Sequence, residues 1–142
     1  MRNNKKGFTL IELLAVIVIL AIIALIATPI ILQIITKARK SASVDSLYGV
    51  MAAAKSTYME TLLDAEQIEL PMTVNCDGTK CEYTDSKTPT PKTDTVKFSG
   101  SIPTGTFTVD KEGKIEPTAE NTFIKVNGFD CSIKANDTVE CK

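Results

Sequence analysis

From Phe8 to Ile35 the chain reads FTLIELLAVIVILAIIALIATPIILQII, and residues 13–27 are fifteen consecutive Ala, Val, Ile and Leu. As a helix rising 1.5 Å per residue, the whole stretch spans ~42 Å, against a bilayer hydrocarbon core of ~30 Å. It is long enough to cross a membrane. A buried helix of a soluble protein is the alternative, but the remaining ~100 residues cannot cover all of its faces. After Lys40 the period changes. Val44, Leu47, Val50, Met51, Ala54, Tyr58, Thr61 and Leu62 recur at spacings of three and four, with Lys40, Asp45, Lys55 and Glu60 largely off that stripe. This predicts an amphipathic helix with one face to bury, and nothing between Ile35 and Ala42 demands a break. The pattern predicts one helix from about Phe8 to about Leu63, ~80 Å long. Pro29 lies inside it, where a missing N–H and a ring clash predict a kink or loosening near residues 25–29.

From Ile68 onward strand formers alternate with turn residues. Residues 68–74 and 95–100 are short strand candidates. Residues 105–110 turn through 110–113 into 114–116, which reads as a hairpin. Residues 121–126 and 129–134 flank Asn127-Gly128, and Asn-Gly supplies the positive φ angles of a type I′ turn. The chain turns again at 135–137 into 138–142. Residues 86–94 are rich in Pro, Thr and Lys, which predicts an exposed loop. The C-terminal part should be an antiparallel sheet of four to six strands laid against the amphipathic half of the helix.

The formal net charge of −1 hides an asymmetry. Arg2, Lys5 and Lys6 precede the apolar stretch, Lys37, Arg39 and Lys40 follow it, and Glu12 is the single charged group in 8–36. The charges before the helix hold the N-terminus in the cytoplasm by the positive-inside tendency, and those after it oppose that orientation. The balance argues against nucleic-acid binding, which needs a strongly basic face. The chain has no histidine, so the commonest general base and a favoured metal ligand are missing. No nucleophile–base pairing or complete metal-ligand set is visible, and enzyme readings are the weakest. No cofactor is implied.

A conventional secretory signal also joins a basic start to an apolar run. A cut following Ala27 would place bulky Leu25 at the third position before it, and the apolar run resumes at Ile30. A membrane-buried carboxylate costs several kcal/mol unless paired. Glu12 alone could sit at the headgroup level, where its charge suits the helix dipole. But KKGFTLIELL (5–14) resembles the class III signal of type IV prepilins and pseudopilins: a basic leader ending in glycine, then phenylalanine, then an apolar helix with glutamate fifth in the mature chain. Lys5, Lys6, Gly7, Phe8, Thr9, Leu10, Ile11 and Glu12 meet each position. Pro29 is at the family's common proline position, while Ala21 replaces a frequent glycine.

The resemblance implies that an aspartic prepilin peptidase cuts between Gly7 and Phe8 at the cytoplasmic face, and that the new Phe8 amino group is N-methylated. It also implies that Glu12 of an incoming subunit pairs with the Phe8 amino group of a neighbour. Both groups are poorly solvated in lipid, so each gains by meeting the other. Such a pair sets axial register, which a sliding sleeve of Ile, Val, Leu and Ala cannot do. Pro29 is either a harmless kink beyond the hydrocarbon edge or a point of local melting.

The four cysteines fall at 76, 81, 131 and 141. A two-residue turn at Gly78-Thr79 sets Cys76 opposite Cys81, and a three-residue turn at 135–137 sets Cys131 opposite Cys141. Opposed strand positions are ~4.5–5.5 Å apart at Cα, which suits a disulfide. Of three connectivities, 76–81 with 131–141 is favoured. Reduced thiols and a four-cysteine zinc site are the alternatives, and the 131–141 gap exceeds usual zinc-ligand spacing.

Together these features predict an α+β, type IV pilin-like chain. Residues 1–7 are a leader peptide, 8–36 a transmembrane and polymerisation helix, 37–64 the amphipathic half of that helix, and 65–142 an antiparallel β region stapled by disulfides. Removing Arg2, Lys5 and Lys6 from the 16 basic residues leaves 13 against 17 acidic ones, a mildly acidic mature chain of −4 by side chains. The expected partners are copies of itself in a helical filament, prepilin peptidase, the inner-membrane pilus assembly machinery, and lipid before assembly. The expected location is the bacterial cytoplasmic membrane as a single-pass precursor with its N-terminus in the cytoplasm, then the cell surface. A minor pilin or a pseudopilin of a competence or type II secretion system is the alternative within the family. An uncleaved, membrane-anchored binding module is the alternative outside it.

Overall fold

A computed structural model describes residues 7–63, 69–86, 93–118, 123–134 and 136–142. Helix α1 runs from Leu10 to Leu63 without interruption and contains Pro29. Eight strands follow among the described residues: β1 (Met72–Asp77), β2 (Cys81–Thr84), β3 (Thr93–Thr95), β4 (Thr104–Val109), β5 (Ile115–Pro117), β6 (Ile124–Val126), β7 (Phe129–Ile133) and β8 (Val139–Cys141). They form one antiparallel sheet in the order β3-β2-β1-β4-β6-β7-β8, with β5 also on β4. By internal packing the chain divides into two units, residues 1–38 and 39–142.

The sheet has more strands than the four to six expected, and their bounds differ. Strand β1 starts at Met72 rather than 68, and residue 68 itself lies outside the described residues. The 95–100 candidate is strand only at Thr95, where β3 ends. Val96 instead tucks inward, 3% exposed, with its amide on the Cys81 carbonyl at 2.8 Å. The proposed loop at 86–94 lies mostly outside the described residues, as do 121–122 and 135.

Turn chemistry sets the registers. At 77–80 the Asp77 carboxylate accepts from the Thr79 amide, the Thr79 hydroxyl and the Lys80 amide at 2.6–2.9 Å. The Thr79 hydroxyl and these amides hold the Asp77 carboxyl down at about 2. Gly78 adopts φ +90°, and Cys76 falls opposite Cys81. Asn127 and Gly128 have φ +52° and +88°, as a type I′ turn requires, and set Val126 opposite Phe129. Asp137, at φ +60°, lies in the turn that sets Ile133 opposite Val139 and Cys131 opposite Cys141. Gly105 has φ +150°, and a Cβ there would lie 3.1 Å from Ile124 Cα. Glycine lets β6 approach β4 closely, where the two pair at Thr104 and Lys125.

The core joins alternate strand residues to one stripe of α1. Ser43, Leu47, Val50, Met51, Ala54, Tyr58 and Thr61 are buried on the helix, against Met72, Val74, Tyr83, Phe107, Val109, Ile115, Ile124 and Val126. The stripe begins at Ser43 rather than Val44 and excludes Leu62, which is 50% exposed. Ser43 is tolerated in the core because its hydroxyl donates to the Arg39 carbonyl at 2.9 Å. Polar ties add direction. Val139 donates its amide to the Tyr48 hydroxyl at 3.0 Å, and the Tyr58 hydroxyl donates to the Lys111 carbonyl at 3.2 Å. Asp137 accepts from Lys55 at 2.5 Å and from the Ile115 amide at 3.2 Å, tying α1, β5 and the β7–β8 turn together.

The N-terminal helix as candidate assembly site

The first turn of any helix leaves amides without partners. Here Thr9 and Glu12 supply them. Glu12 donates its amide to Thr9 Oγ1 at 3.3 Å, while Glu12 Oε2 accepts from the Thr9 amide and hydroxyl at 2.8 Å each. This reciprocal Thr-x-x-Glu capping box fixes where α1 begins. It is a feature the reading of Glu12 alone overlooked, although its spacing was in plain sight. Both bonds to the carboxylate from the described residues use Oε2, and none of those residues bonds Oε1.

Gly7, Phe8 and Thr9 precede the helix and carry no regular structure. Phe8 is 87% exposed, and a Cβ on Gly7 would meet nothing within 4 Å. Among the described residues nothing crowds this stretch. Arg2, Lys5 and Lys6 lie outside the described residues.

Beyond the cap, apolar side chains point out on every side. Leu10, Ile17, Leu20, Ile23, Leu25 and Ile34 are each more than half exposed. The helix is long and apolar enough to cross a membrane. Its hydroxyls are satisfied internally: Thr28 donates to the Ala24 carbonyl at 2.6 Å and Thr36 to the Leu32 carbonyl at 2.9 Å. Pro29 stays within the helix, but it has no N–H to offer the Leu25 carbonyl one turn back.

The cysteines are far along the chain from this segment and structural in setting. Cys76 is bonded to Cys81 and Cys131 to Cys141, with Cα atoms 4.1 and 3.9 Å apart. All four are buried. Among the described residues there is no cluster of acidic or sulfur ligands able to hold a metal ion.

Residues 2–28 match the family model described as the prokaryotic N-terminal methylation motif. This is the class III signal of type IV prepilins and pseudopilins. The chain therefore carries, over residues 2–28, the N-terminal signal that type IV prepilins and pseudopilins share, on a helix long and apolar enough to cross a membrane. No curated protein and no solved structure matches the chain. The family match ends at Thr28, so the amphipathic half of α1 and the sheet are described by the structure alone.

Proposed function

We propose that the chain is the structural subunit of a type IV pilus-like filament. Prepilin peptidase cuts between Gly7 and Phe8, the Phe8 amino group is N-methylated, and subunits then associate through residues 8–36. The observation that carries this reading is the capped, apolar helix start, with Glu12 the one charged side chain in a stretch whose apolar side chains are exposed among the described residues. In lipid the Glu12 carboxylate needs a cation. The Thr9 bonds occupy Oε2 and leave Oε1 for the Phe8 ammonium of a neighbouring subunit. Cleavage creates that ammonium, so the uncut chain is a stored form that does not assemble. Residues 37–64 support the sheet, and Pro29 gives the assembly helix a point of local yielding. The two disulfides staple a small sheet that must survive outside the cell.

Intact-mass measurement on protein from its native membrane tests this. The expected species begins at Phe8 and carries one added methyl group. Retention of Met1 through Gly7 would overturn the reading and favour an uncleaved, membrane-anchored binding module. Filament abundance and length separate a major pilin from a minor pilin or pseudopilin.

A further inference from the structure

Asn127 and Gly128 form the two-residue turn between β6 and β7, and both are exposed. A Cβ on Gly128 would meet nothing within 4 Å, so the space beside its Cα is open. Its side-chain tie to α1 is long. Asn127 Nδ2 donates to Ser43 Oγ over 3.4 Å, beyond the usual hydrogen-bond range. Strand β6 is three residues long and pairs with β4 at one position, Thr104 with Lys125. Glycine is also the following residue that least hinders approach of its own amide nitrogen to a preceding side chain.

We propose that Asn127 is a site of self-modification in the folded subunit, driven by the Gly128 main-chain nitrogen. That nitrogen loses its proton and bonds to Asn127 Cγ. The Cγ–Nδ2 bond breaks, and the side-chain nitrogen takes up a proton and leaves as ammonia. The product is a five-membered succinimide. Water then adds to one of its two carbonyls and opens the ring, giving aspartate or isoaspartate. No oxidant, metal or second protein is needed.

Isoaspartate routes the main chain through Cβ and Cγ, adding one carbon to a turn with room for two residues. Val126 and Phe129 then lose their register. The modification also turns a donor into an acceptor facing Ser43. The Ser43 hydroxyl already spends its one hydrogen on the Arg39 carbonyl, so it has none for the new carboxylate. The long contact with Ser43 is then lost. In a subunit that remains in a filament without replacement, the change accumulates with age.

The test uses the full-length chain in detergent, held folded at growth temperature and mildly alkaline pH, with peptide mapping over time. The expected result is conversion of Asn127 to a mixture of aspartate and isoaspartate, several-fold faster than any change at Asn75 or Asn136. An Asn127→Gln chain should show none in that peptide, because its longer side chain closes a slower ring. Conversion at Asn75 or Asn136 first would overturn the proposal. So would aspartate without isoaspartate, or an Asn127 unchanged while the urea-unfolded chain converts.

Discussion

The two halves of α1 share one backbone geometry and opposite fates. Ile17, Leu20 and Ile23 are 55–58% exposed, while Leu47, Val50 and Ala54 are 0% exposed. Their hydrophobicity is comparable. What differs is burial: residues 43–61 carry a stripe packed on the sheet, while the apolar side chains of 8–36 are exposed among the described residues. Leaving a Leu or Ile side chain in water forgoes ~1.5–3 kcal/mol. Repeated along the first half, that cost favours apolar surroundings over water. Polar groups follow the same division. Thr28 and Thr36 bond within the helix, whereas Tyr48, Lys55 and Tyr58 bond to the sheet region.

The contrast is most easily broken at matched residues. Phe107 is fully buried, so Phe107→Ala should lower the stability of the sheet unit by ~3–5 kcal/mol. Leu20→Ala should leave that stability unchanged within error. Denaturant unfolding of the detergent-solubilised chain, followed by near-ultraviolet circular dichroism of the tyrosines, measures both. Equal losses would mean that the halves are not energetically separate.

The disulfides sharpen the point, because all four cysteines belong to the self-contained unit. The Cys131–Cys141 bridge closes a separation of 10 residues and Cys76–Cys81 one of 5. Paired Cys→Ser changes should cost about 3 and about 2 kcal/mol respectively by loop entropy. Membrane insertion, read by fractionation, should not change.

The smallest effect is electrostatic. Burial raises the Asp137 carboxyl, but the Lys55 ammonium and the Ile115 amide outweigh it and hold it below the usual aspartate range. Asp137→Asn should cost ~1 kcal/mol or less, since both partners are about a third exposed. A depressed carboxyl contributes stability that is fully present above the ordinary aspartate range and lost as pH falls through the lower folded value. The stability gap between wild type and Asp137→Asn should therefore close on acidification, as read by urea midpoints across pH. A gap that widened toward acid would contradict the assignment.

Much of this is legible in the sequence. Fifteen unbroken apolar residues, then a three-and-four spacing, describe both halves of α1 because helix burial has a fixed period. Hairpins at Gly78-Thr79, Asp110–Gly113 and Asn127-Gly128 were readable because those turn residues accept the required φ angles. Other features depend on contacts distant in sequence. The chain's passage from edge strand β3 to central β4, and the shared use of β4 by β5 and β6, leave no local mark. Val96 and Phe98 alternate like a strand yet pack as irregular chain, since β3 has already reached the sheet edge. Ser43 reads as polar surface but is buried, because its hydroxyl is satisfied one turn back. At the N-terminus, Thr9 and Glu12 carried a local signal, and only its reciprocal bonding required the structure.

The most direct measurement is electron microscopy of sheared surface material from cells making only Glu12→Val, labelled with antibody to the C-terminal region. Filaments should be present with the wild-type chain and absent with Glu12→Val, while the variant is still cut after Gly7 and still found in the membrane. Glu12→Val filaments of normal length and abundance would contradict assembly through the Glu12 and Phe8 pair.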